Sequence, residues 1–171
     1  MSIKKEKIIL GIDPGLHISG FGIARQVGSS IQLLDRGILK MNPKKGLPER
    51  ITIFHDFFLE KIKTLPITCI ALETPYLGKN TQSFLKLGYL RGCLYLLSHQ
   101  NNLELLEYTP PEVKAAVTGF GGASKEQVAT LIHRLFPPLK TQNPNDPYDL
   151  TDAIAVVLCG LWRSSSPFHS R

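Results

Sequence analysis

The order of strand-like and helix-like segments limits what this chain can fold into more than any other feature. Residues 7–12, 20–24 and 31–39 have the apolar or alternating pattern of strands, and a Gly28-Ser29-Ser30 turn separates the last two. Helix and strand patterns then alternate, and a strand–helix–strand order implies parallel pairing of the strands. The sequence therefore predicts an α/β fold, with a mixed five-stranded sheet and helices on both faces.

The segments after the first three strands have recognisable boundaries. We expect the remaining strands at 68–72 and 103–108. The predicted helices cover 47–65, 81–100, a short stretch from the Thr109–Glu112 capping box to 117, the residues from the Ser124–Gln127 capping box to the Pro137-Pro138 pair, and 147–162. A chain of 171 residues can form one domain with a substantial core, which we place at 1–163, with a disordered tail at 164–171.

Four carboxylates lie at the ends of predicted strands or at the start of a predicted helix, where they have little evident role in folding. Asp13 follows the apolar run 8–12, and Glu73 follows the run 69–72. In sheets of this kind, ligand sites gather at the carboxyl ends of the central strands. Asp149 and Asp152 open an apolar helix and, at a spacing of three residues, share one helical face. Convergent carboxylates suit a hard cation such as Mg²⁺, and two such ions can support phosphodiester hydrolysis.

Each carboxylate taken alone also has a structural interpretation. Asp13, before a Pro-Gly pair, fits the start of a turn. Asp149 and Asp152 fit the favourable placement of negative charge at a helix N-terminus, for which Asp146 resembles the N-cap. Glu73 has no comparable local role. Taken together in this topology, the four acids favour a catalytic cluster.

Charge and composition indicate a cytosolic protein with a polyanionic partner. The formal net charge is +6 and the isoelectric point is about 9.3, although a basic surface also serves solubility. No apolar run approaches the roughly 20 residues of a membrane span, and no signal-like segment precedes the first strand. The three cysteines lie singly in apolar segments, as buried free thiols in a reducing compartment do. We expect a cytoplasmic protein without membrane association.

The residues around the four acids form an ordered set of motifs. The motifs are Gly11-Ile12-Asp13-Pro14-Gly15 with Gly20-Phe21-Gly22, Ala71-Leu72-Glu73 with Lys79-Asn80, Leu85-Lys86-Leu87-Gly88 with Arg91-Gly92, Val113-Lys114 with Val117-Thr118-Gly119, Lys125-Glu126-Gln127-Val128, and Asp149-Leu150-Thr151-Asp152-Ala153-Ile154-Ala155. In this set the chain resembles RuvC, the bacterial Holliday junction resolvase family, from residue 8 to about residue 160. Gly-x-Asp-x-Gly alone is shared with actin-like ATPases, so the specificity lies in the whole order.

The resemblance implies a ribonuclease H-like fold and assigns roles to particular residues. The four positions that match the family's catalytic, metal-binding acids are Asp13, Glu73, Asp149 and Asp152. The positions implied to contact DNA are Tyr76, which would stack on a base near the junction centre, and the basic residues Lys79, Arg91, Lys114 and Lys125. A core tyrosine and lysines on solvated helix faces are the structural alternatives at these positions.

The resemblance also implies an activity, a cofactor and partners. A homodimer, in contact through the helix Thr81–Gln100, would make paired symmetric nicks in four-way junction DNA during homologous recombination and DNA repair. The products would carry 5′-phosphate and 3′-hydroxyl ends. The implied cofactor is Mg²⁺, which Mn²⁺ can replace, at two ions per subunit. The RuvA and RuvB branch-migration proteins are the implied protein partners.

Three other functions stay open from the residues themselves. A catalytically inactive DNA-binding module on the same fold would bind junctions without cutting them. An actin-like kinase or ATPase shares Gly11-x-Asp13-x-Gly15 but needs two lobes and a second phosphate loop, for which 171 residues are too few. A different ribonuclease H-like nuclease would cut RNA–DNA hybrids.

Overall fold

The structure, a computed structural model, describes residues 6–75, 81–139 and 148–164. The five strands are β1 (Ile8–Asp13), β2 (Ile18–Val27), β3 (Ser30–Lys40), β4 (Cys69–Glu73) and β5 (Glu104–Tyr108). They form one sheet in the order β3-β2-β1-β4-β5. Strands β1, β2 and β3 pair antiparallel, whereas β1, β4 and β5 pair in parallel. The predicted mixed five-stranded sheet is therefore confirmed.

Helices cover both faces of this sheet, as predicted. The helices are α1 (Leu47–Thr64), α2 (Thr81–Gln100), α3 (Pro110–Thr118), α4 (Lys125–Leu135) and α5 (Asp149–Ser164), with a short 3₁₀ turn at Pro137–Leu139. One apolar core lies between the sheet and α1 and α2, around Phe54 and Phe58. The second lies between the sheet and α3, α4 and α5. Both capping boxes are present, at Thr109–Glu112 before α3 and at Ser124–Gln127 before α4.

The bounds of β2 and α5 differ most from those predicted. Strand β2 was expected at 20–24 but runs from Ile18 to Val27, because its pairing with β3 begins at Ile18 and extends through the polar Arg25 and Gln26. The turn therefore shortens to two residues, and Gly28 takes the left-handed conformation there, with φ +60°. Helix α5 begins at Asp149 and runs to Ser164, the first residue of the expected tail. Asp146, residues 140–147 and residues 165–171 lie outside the described residues.

Helix α5 packs unusually close to β1 and β2, and glycines on those strands allow it. A Cβ atom on Gly11 would lie 2.7 Å from the Ala153 carbonyl oxygen, and one on Gly20 would overlap the Asp149 carbonyl oxygen. Contacts this short do not occur between real atoms. The glycines of β1 and β2 thus bring the N-terminal turn of α5 against the edge of the sheet where β1 ends.

Two further expectations concern the state of the three cysteines and the presence of membrane-spanning helices. Cys69, Cys93 and Cys159 are free thiols; the first and last are buried, and Cys93 is half-buried. Across the described ranges, no helix combines the length and the apolar character that crossing a bilayer requires.

Candidate active site

Asp13 and Glu73 lie side by side at the carboxyl edge of the sheet. They are the last residues of the neighbouring parallel strands β1 and β4, whose register pairs Ile12 with Leu72. Side chains alternate between the two faces of a strand, so Asp13 and Glu73 point to the same face as Gly11 and Ala71. That face is the one on which α5 packs.

Asp149 and Asp152 approach the same edge from the first turn of α5. The Asp152 amide donates to the Tyr148 carbonyl at 2.7 Å, which continues the helical hydrogen bonding at this end. Both aspartates interact electrostatically with Asp13, as Glu73 does. The structure therefore brings all four predicted acids together, two from strand ends and two from one helix turn.

The environment of Asp13 strongly disfavours its ionised form. Burial, followed by the charges of Asp152, Asp149 and Glu73, raises the pKa of Asp13 to about 7. Burial and the charge of Asp152 also raise the pKa of Glu73. A carboxylate cluster with raised pKa values is typical of sites that are completed by a cation or that perform proton chemistry.

Two lysines supply positive charge beside these acids. Lys125, at the start of α4, donates from Nζ to Asp152 Oδ2 at 2.8 Å. The hydrogen bond to Asp152 is the main cause that raises the Lys125 pKa. Lys114, on α3, is half-buried, and its charge acts with that of Lys125 to lower the pKa of Glu73. The ammonium groups thus offset part of the repulsion among the acids.

Two clefts meet at Glu73. The first, of about 180 Å³, lies between the ends of β1 and β4 and helix α2, and Asp13, Glu73 and Arg91 border it. The second, of about 310 Å³, has Glu73, Asp152, Lys114 and Lys125 on its walls. The walls of the second cleft thus carry carboxylates and ammonium groups together.

The loop that follows Asp13 is held in place by polar contacts. The buried Ser19 hydroxyl donates to the Gly15 carbonyl at 2.9 Å and accepts from the Gly15 amide at 3.0 Å. Arg50, on α1, donates from Nη1 to the Leu16 carbonyl at 3.1 Å. Sequence reasoning did not identify Ser19 or Arg50, because their roles depend on backbone groups that only the fold brings within reach.

The four acids have the chemistry of a divalent-metal site without forming a closed set of ligands. Within the described residues, no three His, Cys, Asp or Glu side chains are close enough together to hold a metal ion unaided. One Asp152 oxygen accepts the hydrogen bond from Lys125, and the like charges of the other three acids oppose ionisation of Asp13. The half-buried Asp13, with its raised pKa and its three acidic neighbours, nevertheless fits a cation that would neutralise it.

The residues expected to contact DNA fall into three groups. Tyr76 and Lys79 lie outside the described residues. Lys114 and Lys125 line the second cleft beside the acids. Arg91 is buried, and its guanidinium contacts Glu73, Tyr95 and Glu107 of this chain. No signal in the sequence distinguishes such an internally paired arginine from a surface arginine that binds phosphate.

Comparisons with known proteins agree on one family. The sequence model described as "Crossover junction endodeoxyribonuclease RuvC" matches residues 9–160. Proteins of that name are similar over most of the chain. The one from Pelodictyon phaeoclathratiforme is 42% identical, across 95% of this chain and 85% of that protein. The one from Bacteroides fragilis is 36% identical, across 95% and 86%.

Solved structures have the same fold. The T. thermophilus RuvC in complex with a Holliday junction substrate superposes with a TM-score of 0.81 at 25% identity, covering 92% of this chain and 94% of that one. The yeast mitochondrial Holliday junction resolvase Ydc2 superposes with a TM-score of 0.69 at 17% identity, covering 92% and 79%, which is a likeness of fold. The sheet and helices of this chain are therefore those of the ribonuclease H-like resolvases.

Proposed function

The chain belongs to the RuvC family of crossover junction endodeoxyribonucleases, and from that membership we propose that it is a Holliday junction resolvase. It makes paired symmetric nicks in four-way junction DNA by metal-assisted phosphodiester hydrolysis. The observation that supports this most is the placement of four carboxylates at the carboxyl edge of the sheet, where the half-buried Asp13 interacts with the charges of the other three. Repulsion among these four acids lowers the stability of the fold, so a purely structural role does not account for their placement.

The acids would hold the cofactor and the attacking water. Asp13 would bind both ions, Glu73 and Asp152 would complete the ligand set, and Asp149 would bind one ion or orient the water. Two Mg²⁺ ions, which Mn²⁺ can replace, would supply a bound water of lowered pKa and neutralise charge on the scissile phosphate. Carboxylate oxygens are the ligands that these hard cations prefer.

The reaction would follow from the positions of these groups. The water oxygen attacks phosphorus and gives up a proton, the bond from phosphorus to the 3′ oxygen breaks, and that oxygen takes a proton. The products carry a 5′-phosphate and a 3′-hydroxyl. Lys114 and Lys125, beside Glu73 and Asp152, would bind the phosphate oxygens on the open side of the second cleft.

A homodimer would provide two such sites related by one axis, which suits the approximate two-fold symmetry of a four-way junction. The exposed face of α2 supports this part of the proposal. Leu85, Tyr89 and Leu96 are 58%, 45% and 51% exposed, although they are large and apolar. A Cβ on Gly88 or Gly92 would meet nothing within 4 Å, so a second helix has room to approach closely. By family resemblance, RuvA and RuvB would be the protein partners.

The activity is tested with an end-labelled synthetic four-way junction in Mg²⁺ buffer, on a denaturing gel beside an RNA–DNA hybrid of equal length. We expect paired, symmetric nicks on the junction from the wild-type protein. Glu73→Gln should lower the rate by about 10³-fold or more, because it removes a charged ligand from the site. Glu60→Gln, the same substitution on an exposed residue of α1, serves as the matched control.

The alternatives have distinct outcomes in the same assay. Tight junction binding with no cutting in Mg²⁺ or Mn²⁺ would identify an inactive DNA-binding module. Cutting of the hybrid alone would identify a nuclease of another specificity. Either result would contradict the proposed function.

A further inference from the structure

Arg91 is the one buried residue with a formal charge among those that the structure describes. It lies on α2 and is 6% exposed. A charge removed from water is stable only when it is paired and hydrogen-bonded. The hydrogen-bond partners of Arg91 therefore indicate the role of its guanidinium group.

The first partner is the backbone of Glu73. Arg91 Nη1 donates to the Glu73 carbonyl oxygen at 2.5 Å. The amide of the next residue, Thr74, donates to the Tyr108 carbonyl at 2.7 Å. The peptide group between Glu73 and Thr74 is thus held at both ends, by a guanidinium on its oxygen and by β5 on its N–H. Fixing this peptide fixes the direction in which the Glu73 side chain leaves the strand.

The second set of partners holds Arg91 itself. Its Nη2 contacts Glu107 Oε1 in a short ion pair, and it lies 3.5 Å from the Tyr95 hydroxyl. That hydroxyl also donates to Glu107 Oε1 at 2.7 Å. Glu107 lies on β5 directly beside Leu72, the residue before Glu73. The guanidinium therefore connects α2, β4 and β5 at the end of the sheet where the acids lie.

The site lies immediately beyond this connection. Arg91 borders the same cleft as Asp13 and Glu73. Its guanidinium is engaged within the chain and is covered by the fold. Its contact with the site runs through the backbone carbonyl of Glu73.

We infer that Arg91 is a positioning residue: it holds the Glu73 peptide so that the carboxylate reaches the metal site, and Tyr95 and Glu107 hold Arg91 in turn. This inference rests on the proposed function, because it assigns Glu73 to the metal site. A guanidinium is needed because its fixed fork reaches the carbonyl and the carboxylate at once. The single ammonium of a lysine does not span both acceptors in the same geometry.

The test compares Arg91→Lys and Tyr95→Phe with the wild-type protein, and Arg134→Lys, on the exposed face of α4, serves as the matched control. Junction affinity and its salt dependence are measured without divalent metal, and single-turnover cleavage at saturating junction is measured over a range of Mg²⁺ concentrations. For Arg91→Lys we expect unchanged junction affinity and an unchanged salt slope. The cleavage rate should fall by at least about tenfold, and the half-saturating Mg²⁺ concentration should rise. Tyr95→Phe should show a smaller change in the same direction.

Two results would overturn the inference. Loss of affinity, with a salt slope reduced by about one, would mean that Arg91 contacts a phosphate. A lower melting temperature with an unchanged cleavage rate and Mg²⁺ requirement would mean that Arg91 only stabilises the fold.

Failure of the proposed function is recognised separately, by a wild-type protein that does not nick the junction. In that event Mn²⁺ binding, measured by calorimetry without DNA, still tests Arg91. An affinity at least about fivefold weaker in Arg91→Lys than in the wild type supports positioning, and a smaller difference contradicts it.

Discussion

At the scale of single residues, the site depends on Asp13, a carboxylate whose ionised form is disfavoured by its surroundings. Asp13 is half-buried beside three other acids, and its pKa rises to about 7 as a result. Lys125 lowers that pKa but does not offset burial and repulsion together. The unfavourable energy is stored in the folded protein and is available to favour cation binding.

The Asp13 carboxyl should make the stability of the metal-free protein depend on pH. Its pKa is about 7 when folded and near 3.8 in the unfolded chain. The folded state therefore holds more protons between these values, so the free energy of unfolding falls as pH rises from about 4 to 7. We expect Asp13→Asn to flatten this dependence and to raise the melting temperature at pH 8 by about 2–4 °C for each kcal/mol of repulsion removed.

Thermal unfolding in a metal chelator at pH 5.5 and at pH 8 measures the effect. Glu60→Gln, on the exposed surface of α1, is the control and should keep the wild-type pH dependence. Equal pH dependence in the wild type and in Asp13→Asn would show that Asp13 is not held in the environment described.

Divalent cations should stabilise the folded protein through the same acids. A ligand that binds only the folded state at 100 times its dissociation constant contributes about 2.7 kcal/mol, which corresponds to a rise of about 5–10 °C in melting temperature. We expect this rise with Mg²⁺ or Mn²⁺ and expect it to disappear in the double variant Asp13→Asn/Glu73→Gln. The absence of any shift with either metal would contradict a metal site at the four acids.

Residue roles were predictable from the sequence only where they depend on position along a segment. The four acids stand at strand ends or in a first helical turn, and such positions are visible in a hydrophobic pattern. Arg91 was expected to contact DNA, yet its guanidinium is occupied by groups on β4 and β5. No local pattern reports that tertiary contact.

At the scale of elements, the close approach of α5 to β1 and β2 brings the halves of the site together. Asp13 is carried by a strand, whereas Asp149 and Asp152 are carried by a helix that packs across it. Glycine on the strands permits this distance, since any larger residue at Gly20 would overlap the backbone of Asp149. The contact between α5 and strands β1 and β2 therefore determines both the packing of the helix and the relative positions of the acids.

Gly20→Ala should separate the two halves of the site. The added methyl must displace the start of α5, and overpacking of this kind costs about 1–3 kcal/mol. We expect a lower melting temperature, a cleavage rate reduced by at least about tenfold, and a weaker Mn²⁺ affinity. Thermal unfolding, junction cleavage and calorimetry measure these three quantities.

Gly46→Ala is the comparison for this variant. Its new Cβ would lie 3.9 Å from Pro48 Cδ, and the change at the N-cap of α1 costs at most about 1 kcal/mol. It should leave cleavage and Mn²⁺ affinity as in the wild type. Normal cleavage by Gly20→Ala would mean that α5 can move without disturbing the acids.

Element type and order were predictable, whereas several ends were not. Alternation of strand and helix patterns was enough for the sheet, and capping boxes marked the starts of α3 and α4. The end of β2 was missed because Arg25 and Gln26 look like loop residues, although their backbones pair with β3. Backbone pairing does not require an apolar side chain, so a hydrophobic pattern underestimates such strands.

At the scale of the whole molecule, the proposed activity needs two sites that act together. The exposed apolar face of α2 lies on the sheet face opposite to α5. Dimerisation through it would leave the cleft with Lys114 and Lys125 open to DNA in each subunit. One junction could then contact both sites.

Leu96→Glu should disrupt this assembly without unfolding the subunit. Leu96 is 51% exposed in the single chain, so a charge there costs little until a second subunit covers it. We expect sedimentation to give a dimer for the wild type and a monomer for Leu96→Glu, with similar far-ultraviolet circular dichroism. Paired nicking should fall by at least about tenfold.

Leu135→Glu is the matched control for this substitution. Leu135 is 50% exposed at the end of α4, away from the α2 face, and its replacement should leave the dimer intact. A wild-type protein that sediments as a monomer at working concentration, with and without junction, would contradict the dimer.

The most direct test of the account is cleavage of a supercoiled plasmid that extrudes a cruciform, which is a four-way junction in a closed circle. Two nicks made across the junction within one complex convert the circle to a linear molecule with sealable ends. We predict that the wild-type protein in Mg²⁺ produces linear plasmid as its main product and that Glu73→Gln produces none while it still binds the cruciform. Nicked circles alone, or cutting that persists in Glu73→Gln, would contradict a dimeric resolvase with its catalytic centre at the four acids.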